Sequence, residues 1–279
     1  MSDWFIEKDA NELSFGYSVN KTLFEGKSPF QEVKVYETKA YGKMLVIDGF
    51  VMLTETDEFV YHEMISHIPM SYHKDPKDIL VIGGGDGGTV RELVKYKGVE
   101  SVTLCEIDKL VVDVSRKFFP KVAGELDHKK VTVKIGDGID YVKNQENKFD
   151  VVLVDSTDPI GPGEALFTKE FYQGVAKALK PGGIVALQSE SPWYEAKILN
   201  RIQENVSSAF PIVKPYVAPI PTYPRGLWSW TMASHSEENF VKPNLDRFAE
   251  VKEGMKYLTP SQVTNVFDIP PFLKEKLKK

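Results

Sequence analysis

Three aspartates in two short motifs carry the strongest chemical signal in the sequence. Asp86 lies in the run GGGDGG (residues 83–88), and Asp155 and Asp158 lie in the run DSTDP (residues 155–159), which follows the apolar run VVLV. Acids this close together, at the carboxyl end of a buried strand, can hold a cation or take a proton from it. The alternative role is capping of a loop or of the next helix. We favour the first interpretation and expect an anionic crevice for a cationic substrate.

The run GGGDGG has the spacing of a nucleotide-binding turn. Gly83, Gly85 and Gly88 satisfy the pattern G-x-G-x-x-G directly after a predicted strand and directly before a predicted helix. Glycine is required where a Cβ would collide with a ligand that lies across the turn. A flexible turn without a ligand is the alternative, and it leaves five glycines in six positions without a reason. The turn therefore predicts a nucleotide or nucleoside site.

Two further acids follow the next two predicted strands. Glu106 ends the second strand, 18 residues beyond Gly88, and Asp137-Gly138 ends the third. The carboxylate of Glu106 can accept hydrogen bonds from both ribose hydroxyls, and that of Asp137 can accept one from an adenine amino group. Because the carboxyl ends of parallel strands meet at one edge of a sheet, these residues and the glycine turn together predict an adenosine site.

The charge of Asp86 restricts the choice of adenosine compound. A dehydrogenase would place a pyrophosphate over the glycine turn, close to this fixed negative charge. Asp86 therefore disfavours NAD, and it also disfavours the carboxylate of S-adenosylmethionine. Decarboxylated S-adenosylmethionine carries a sulfonium and an ammonium but no carboxylate, so it fits the predicted site best.

The chain from Asp78 onward alternates between apolar strands and helices, and helical segments such as 89–97 and 168–179 separate most of the strands. Continuous apolar strands joined by helices predict a doubly wound parallel sheet that is covered on both faces. Two later strands, 213–217 and 227–232, could close the sheet with an antiparallel pair. The predicted parallel strands are residues 79–82, 102–105, 131–135, 151–154 and 184–187.

The N-terminal part of the chain has a different pattern. Short strands broken by turns occupy residues 29–54, with Asp48-Gly49 as a hairpin signal, and a helix is predicted over residues 57–72. We therefore assign residues 1–55 to a small N-terminal β domain and residues 56–279 to a Rossmann-like catalytic domain.

Composition excludes several classes of protein. The formal net charge of −5 is unlike the basic surface of nucleic-acid-binding proteins. The single cysteine, Cys105, rules out an intramolecular disulfide and a cysteine-based zinc cluster. No signal peptide is recognisable at the N-terminus, and no apolar stretch reaches the ~18 residues of a membrane span. We expect a cytoplasmic protein that binds neither nucleic acid nor membranes.

Four motifs resemble those of the spermidine synthases, the polyamine aminopropyltransferases, and occur in the same order along the chain. They are YHEM (residues 61–64), GGGDGG, DSTDP and IPTYP (residues 220–224). The resemblance runs from about Trp4 to Trp230. It implies an α/β fold with a Rossmann-like, methyltransferase-type doubly wound sheet and a small N-terminal all-β domain. It also implies a homodimer or homotetramer.

The resemblance implies roles for individual residues. Asp155 would be the general base that takes a proton from the attacking amine, and Tyr61 would orient that amine. Residues at the diamine would be His62, Asp86, Asp158, Ser156, Thr157, Tyr223 and Gln188. Residues at the nucleoside would be Gln31, Gly83, Gly85, Glu106, Asp137, Gly138 and Pro162. Trp4 resembles a tryptophan that packs along the diamine, with a plain core role as the alternative.

The implied chemistry is the transfer of an aminopropyl group from decarboxylated S-adenosylmethionine to putrescine. An alkylammonium has a pKa near ~10.4 and an aspartate near ~3.9, so Asp155 needs help from burial and from the nearby sulfonium. Attack on the methylene next to sulfur releases methylthioadenosine. Decarboxylated S-adenosylmethionine is a co-substrate, so no cofactor is expected, and no metal is expected either.

Three other functions remain open at this level. A diamine N-methyltransferase would keep the fold and use intact S-adenosylmethionine. A non-catalytic nucleoside-binding or assembly module would not need Asp155, and an NAD-dependent dehydrogenase is the remaining possibility. The sequence does not fix the preferred acceptor length, because one methylene is worth only ~1–3 kcal/mol in a pocket.

Overall fold

The computed structural model describes residues 3–8, 13–158, 161–193 and 196–277, without the side chains of residues 161, 162 and 196. Within these ranges the strands form two separate sheets. The first is an antiparallel meander of five strands in the order β1-β2-β3-β4-β5. Its strands are β1 (Asp3–Lys8), β2 (Ser14–Lys27), β3 (Glu32–Thr38), β4 (Lys43–Ile47) and β5 (Phe50–Thr54).

The turn between β4 and β5 confirms the hairpin predicted at Asp48-Gly49. Ile47 pairs with Phe50 across the two-residue loop. Asp48 and Gly49 both have positive φ, 49° and 88°, which is the left-handed conformation that such a tight turn requires. The sequence did not predict β1 and β2, which extend the sheet beyond the strands expected at residues 29–54.

The second sheet has seven strands in the order β11-β12-β10-β9-β6-β7-β8. Its strands are β6 (Asp78–Gly83), β7 (Ser101–Glu106), β8 (Val131–Ile135), β9 (Phe149–Asp155), β10 (Leu179–Gln188), β11 (Ile212–Pro219) and β12 (Leu227–Ser234). Five neighbouring strands of this sheet are parallel, namely β10, β9, β6, β7 and β8. Strand β12 runs antiparallel to both β10 and β11. The predicted doubly wound sheet with an antiparallel pair at one edge is therefore confirmed.

Helices connect the parallel strands and cover the sheet. The helices are α1 (Glu58–Tyr72), α2 (Gly88–Leu93), α3 (Lys109–Phe118), α4 (Pro120–Ala123), α5 (Gly138–Lys143), α6 (Lys169–Ala178), α7 (Ala196–Ser207), α8 (Leu245–Ala249), α9 (Pro260–Thr264) and α10 (Pro271–Lys276). Residues 79–82 of β6 and 151–154 of β9 are buried, as expected for strands covered on both faces. Helix α2 is shorter than the segment 89–97 that the sequence predicted.

Helix α1 is buried on almost all sides, although its sequence suggested one apolar face. Every residue from Val60 to Tyr72 is buried. The segment after β12 covers part of it, because both carboxylate oxygens of Glu63 accept hydrogen bonds from the backbone N–H groups of residues 256–258, at 2.7 to 3.0 Å. Burial fixes the orientation of α1 and hence the direction in which its polar side chains point.

The strand order reverses direction between β6 and β9, and this is where open α/β sheets form a crevice for ligands. Gly83, the last residue of β6, pairs with Asp155, the last residue of β9. The two signals found first in the sequence, the glycine turn and the DSTDP motif, therefore lie side by side at the carboxyl edge of the sheet.

Candidate active site

A cavity of about 410 Å³ opens at this edge, between the parallel sheet and the N-terminal sheet. It brings together the site residues predicted from the sequence, apart from Trp4 and from Pro162, whose side chain lies outside the described part of the chain. The predicted residues that line it are Gln31, Tyr61, His62, Gly83, Gly85, Asp86, Glu106, Asp137, Gly138, Asp155, Ser156, Thr157, Asp158, Gln188 and Tyr223.

The glycine turn is shaped by its contact with strand β9. Gly84 N donates a 2.7 Å hydrogen bond to the carbonyl oxygen of Asp155. Gly83 has a φ of +78°, and a Cβ on it would lie 2.2 Å from that same carbonyl oxygen. Glycine is therefore required at Gly83 by backbone packing as well as by backbone conformation.

Two hydroxyl groups hold the carboxylate of Asp155 in place. Tyr61 donates a 2.7 Å hydrogen bond to Oδ1, and Thr89 donates a 2.6 Å hydrogen bond to Oδ2. Burial and the nearby charge of Asp86 raise the pKa of Asp155 to about 6, against the opposing effects of His62 and the two hydroxyls. An acid of this kind is ionised near neutral pH and is a stronger base than a solvated aspartate.

A buried chain of charges runs from Asp86 into the protein. His62 Nε2 lies 3.2 Å from Asp86 Oδ1, and His62 Nδ1 lies 2.5 Å from Glu58 Oε2. Arg91 makes two 2.9 Å hydrogen bonds to the carboxylate of Glu58. Burial alone would lower the pKa of His62, but Asp86 and Glu58 outweigh it and raise that pKa to about 10.

The charge of His62 acts on both neighbouring acids. Burial would raise the pKa of Asp86, but His62 and the N–H of Gly88 outweigh it and lower that pKa. Burial would likewise raise the pKa of Glu58, but His62 and Arg91 lower it to about 2. These pKa shifts favour a positively charged His62 between two ionised carboxylates.

Two predicted nucleoside residues, Glu106 and Asp137, line the cavity at the ends of β7 and β8. Glu106 accepts hydrogen bonds from Gly85 N at 3.1 Å and from Asp108 N at 2.8 Å. Burial raises the pKa of Glu106 to about 7, in spite of those two N–H groups. Asp137 caps helix α5, because its Oδ1 accepts a 2.7 Å hydrogen bond from Ile139 N. The capping role and a place in the cavity are compatible for this residue.

A third acidic position lies near the end of β10. Burial raises the pKa of Asp158, which is opposed by a hydrogen bond with Glu190. Gln188 lies beside Glu190, with Nε2 3.4 Å from both the Thr157 carbonyl and Glu190 Oε1. Glu190, to which the sequence gave no role, therefore belongs to the same polar group as Asp158.

The IPTYP motif is anchored to both parts of the chain, which explains how it reaches the cavity. Thr222 donates from its N–H and its hydroxyl to Asp57 Oδ2, at 3.0 and 2.7 Å, and its carbonyl accepts a 2.7 Å hydrogen bond from Tyr17. Tyr223 donates a 2.6 Å hydrogen bond to the carbonyl of Met52 in the N-terminal sheet. These contacts hold the ring of Tyr223 over the cavity.

Several side chains at the site were not predicted from the sequence. Glu7 is buried, lines the cavity and accepts a 2.8 Å hydrogen bond from Val51 N. Thr89 was missed because its partner Asp155 comes from strand β9. Glu58 has one distant partner, Arg91 of α2, but its other partner, His62, lies four residues along the same helix α1, and that i,i+4 spacing is a local signal that could have found it. The plain core role suggested for Trp4 is wrong in the single chain, since the residue is 60% exposed. It does not line the cavity, and its packing along the diamine stays a prediction.

His62, Asp86 and Asp155 each offer one ligand atom for a metal ion, and these atoms lie within 4.8 Å of one another. Each is already engaged, because His62 Nε2 faces Asp86 and both oxygens of Asp155 accept from hydroxyls. A protonated imidazole also has no lone pair to give to a metal. The geometry therefore favours a hydrogen-bonded cluster.

The part of the chain described by the structure contains no helix long and apolar enough to cross a membrane.

Comparison with known proteins agrees with this site. Residues 58–243 match the spermine/spermidine synthase domain, and residues 3–55 match the spermidine synthase tetramerisation domain. The polyamine aminopropyltransferase of Bacillus cytotoxicus is 42% identical over 278 residues, which cover 100% of both chains.

Solved structures agree as well. A spermidine synthase in complex with the transition-state analogue AdoDATO has a TM-score of 0.96 and 36% identity, covering 99% of this chain and 95% of its own. The spermidine synthase of Thermotoga maritima has a TM-score of 0.94 and 35% identity, covering 99% and 94%. These likenesses confirm the Rossmann-like methyltransferase-type fold. The chain belongs to the spermine/spermidine synthase family and is a polyamine aminopropyltransferase.

Proposed function

We propose that the chain is a spermidine synthase that transfers the aminopropyl group of decarboxylated S-adenosylmethionine to putrescine. The observation that carries the proposal is the position of Asp155, a buried carboxylate in the same cavity as Asp86 and the predicted adenosine residues. The products are spermidine and methylthioadenosine. One neighbouring structure, a spermidine synthase solved with a transition-state analogue, supports the same reaction class.

Asp155 takes the role of general base. Putrescine enters as a dication, and an alkylammonium with a pKa near ~10.4 has no lone pair for attack. Because the pKa of Asp155 is about 6, the remaining difference is roughly four pKa units, or about 6 kcal/mol. The sulfonium of the donor, held in the same closed cavity, lowers the pKa of the amine and narrows that difference further.

The transfer step is a displacement at carbon. The amine nitrogen, after giving its proton to Asp155, forms a bond to the methylene next to the sulfonium sulfur. The C–S bond breaks and its electron pair returns to sulfur, which leaves as the neutral thioether of methylthioadenosine. The protein contributes alignment of nitrogen, carbon and sulfur, with Tyr61 beside the attacking amine.

The acids around Asp155 bind the cationic groups of the two substrates. One carboxylate about 4 Å from an ammonium contributes on the order of 4 kcal/mol at an effective dielectric near 20. Asp158, Glu190 and Gln188 form one polar group suited to the far end of the diamine, and Asp86 lies at the glycine turn. Tyr223 and the backbone at Ser156 and Thr157 line the channel between them.

The nucleoside is bound by the residues around β7 and β8. Glu106 accepts from the ribose hydroxyls, and Asp137 with Gly138 contacts adenine. The resemblance to spermidine synthases assigns Gln31 to the methionine-derived portion and Pro162 to the nucleoside. The glycine turn at Gly83 and Gly85 gives the nucleoside room to approach the backbone.

Family membership favours this reaction over the methyltransferase, the dehydrogenase and the non-catalytic module. The match of residues 3–55 to a tetramerisation domain supports a homo-oligomer, and we propose a tetramer. The division into separate domains at residues 1–55 and 56–279 stays a prediction. So do the cytoplasmic location and the absence of a cofactor and of a nucleic-acid partner.

The direct test is an assay of the purified protein with decarboxylated S-adenosylmethionine and a series of diamines from three to six carbons. The proposal expects release of methylthioadenosine, with the highest kcat/KM for putrescine. Equal turnover with S-adenosylmethionine would favour methyl transfer. Absence of methylthioadenosine with every diamine would refute the aminopropyl transfer proposed for this chain.

A further inference from the structure

The imidazole of His62 has a carboxylate oxygen at hydrogen-bond distance from each of its two nitrogens. Nδ1 faces Glu58 Oε2 at 2.5 Å and Nε2 faces Asp86 Oδ1 at 3.2 Å. A neutral imidazole carries one hydrogen and would leave its other nitrogen lone pair facing a carboxylate. Only the doubly protonated ring donates to both acids. The ring is 2% exposed, so water does not provide an alternative partner.

Glu58 is held in this position from its other side. Arg91 of helix α2 makes a two-point contact with its carboxylate, and Glu58 itself is buried at 7% exposure. Arg91 also donates a 2.8 Å hydrogen bond to Glu92, which lies one step further from the cavity. Because positive and negative groups alternate along this series, each buried charge has a partner of opposite sign.

We propose that Glu58, fixed by Arg91, is a positioning residue that keeps His62 as a buried imidazolium, and that this cation balances the acids around the reacting amine. The proposal rests on the proposed function of Asp155 as the base. In this arrangement both nitrogens of His62 donate to carboxylates. Its role is to limit the negative charge that Asp155 experiences from Asp86.

All charged and titratable groups around His62 contribute to this balance. They are Glu58 and Tyr61 of helix α1, Asp86 of the glycine turn, Arg91 of helix α2 and Asp155 of strand β9. Asp86 raises the pKa of Asp155 and His62 lowers it. If His62 loses its proton, Asp155 therefore becomes protonated at a higher pH and stops acting as a base there.

The first test needs no variant. In protein labelled with ¹⁵N-histidine, the His62 ring should show both nitrogens protonated at pH 7 to 8, and a His62→Gln variant assigns its signals. A ring with one protonated nitrogen at pH 7 would overturn the proposal. This measurement does not depend on turnover, so it stays decisive even if putrescine proves not to be the acceptor.

The second test is the pH dependence of kcat/KM in Glu58→Gln. The acidic limb of the pH profile, where activity falls because Asp155 becomes protonated, should move up by about one pH unit. Activity should therefore fall about fivefold at pH 6 and up to about tenfold at lower pH, and it should largely recover at pH 9. Glu58→Asp should restore the wild-type limb. The double variant Glu58→Gln, His62→Gln should have its acidic limb at the same pH as the single variant His62→Gln.

Glu92→Gln is the matched control, because Glu92 is a buried carboxylate paired with Arg91 that does not contact His62. It should lower the melting temperature without moving the acidic limb. A limb that stays unchanged in Glu58→Gln, or that moves equally in Glu92→Gln, would overturn the proposal. A uniform loss of activity at all pH values in Glu58→Gln would assign it a merely structural role.

Discussion

The hydroxyl of Tyr61 donates a 2.7 Å hydrogen bond to Oδ1 of Asp155. Because Thr89 donates to the other oxygen at 2.6 Å, the carboxylate is fixed by two separate helices, α1 and α2. The resemblance to spermidine synthases also implies that Tyr61 orients the attacking amine. Fixing a base in this way reduces the reorganisation needed when the amine binds.

We predict that kcat/KM has an acidic limb near pH 6, set by Asp155. Below this pH the carboxylate is protonated and cannot accept a proton, so activity should fall about tenfold per pH unit. Since the hydroxyls of Tyr61 and Thr89 lower the pKa of Asp155, Tyr61→Phe and Thr89→Val should each move the limb to higher pH. The loss should be roughly tenfold or more at pH 6 and smaller at pH 8.

The control for that experiment is Tyr72→Phe. Tyr72 lies on the same helix α1 and its hydroxyl donates to the carbonyl of Val263 at 3.1 Å, away from the cavity. This variant should keep the wild-type limb. A pH profile that is identical in Tyr61→Phe, Thr89→Val and wild type would contradict the role given to the two hydroxyls.

Glu106 should make nucleoside binding dependent on pH. Its pKa is raised by burial to about 7, and only the ionised form accepts from both ribose hydroxyls. As the pH falls below 7, the affinity for methylthioadenosine should therefore decrease by up to about tenfold per pH unit. Titration calorimetry in buffers of different ionisation enthalpy should detect the release of a proton on binding.

In Glu106→Gln this pH dependence should disappear, and the affinity at pH 8 should be roughly tenfold to a hundredfold weaker, as expected for loss of hydrogen bonds to a charged group. Binding that is equally tight in the variant would place the ribose elsewhere.

Gly83→Ala should abolish the site and destabilise the fold. The new Cβ would lie 2.2 Å from the carbonyl oxygen of Asp155, at a φ of +78°. We expect a loss of about 3 kcal/mol or more in the free energy of unfolding. Gly98→Ala is the control, because a Cβ there has nothing within 4 Å and the φ is not positive. Equal denaturant midpoints for the two variants would contradict the packing argument.

Removal of divalent metal should leave the reaction unchanged. His62 Nε2 donates to Asp86, and both oxygens of Asp155 are engaged by hydroxyls, so the three side chains are poor ligands. Activity should be the same with and without excess chelator. A loss restored by one added metal would show that the cluster binds an ion during turnover.

The sequence predicted the catalytic sheet well because its signals are local. Strands buried on both faces are continuous apolar runs, and the positive φ at Gly83 or Gly49 favours glycine. The first two strands were missed for the opposite reason. In β2 (Ser14–Lys27) the pairing register shifts twice, and burial does not alternate regularly along the strand. The period-two pattern that identifies a strand is therefore weak there.

The side-chain partners of the site were less predictable. Thr89 and Glu58 are ordinary polar residues in the sequence, and each gains its role from a residue 66 or 33 positions away. These two pairings depend on how α2 packs against β9 and α1, which no local pattern encodes, whereas the contact of Glu58 with His62 has the i,i+4 spacing of one helix face. His62 was expected at the diamine, and only the two carboxylates around its ring suggest a different role.

The most direct test of the account is the rate of the chemical step in Asp155→Asn, measured by methylthioadenosine release in a single turnover. We predict a loss of at least about a thousandfold, no acidic limb near pH 6, and binding of methylthioadenosine within a few-fold of wild type. An Asp155→Asn enzyme that retains the wild-type rate within tenfold would contradict the central claim that this carboxylate accepts the proton of the attacking amine.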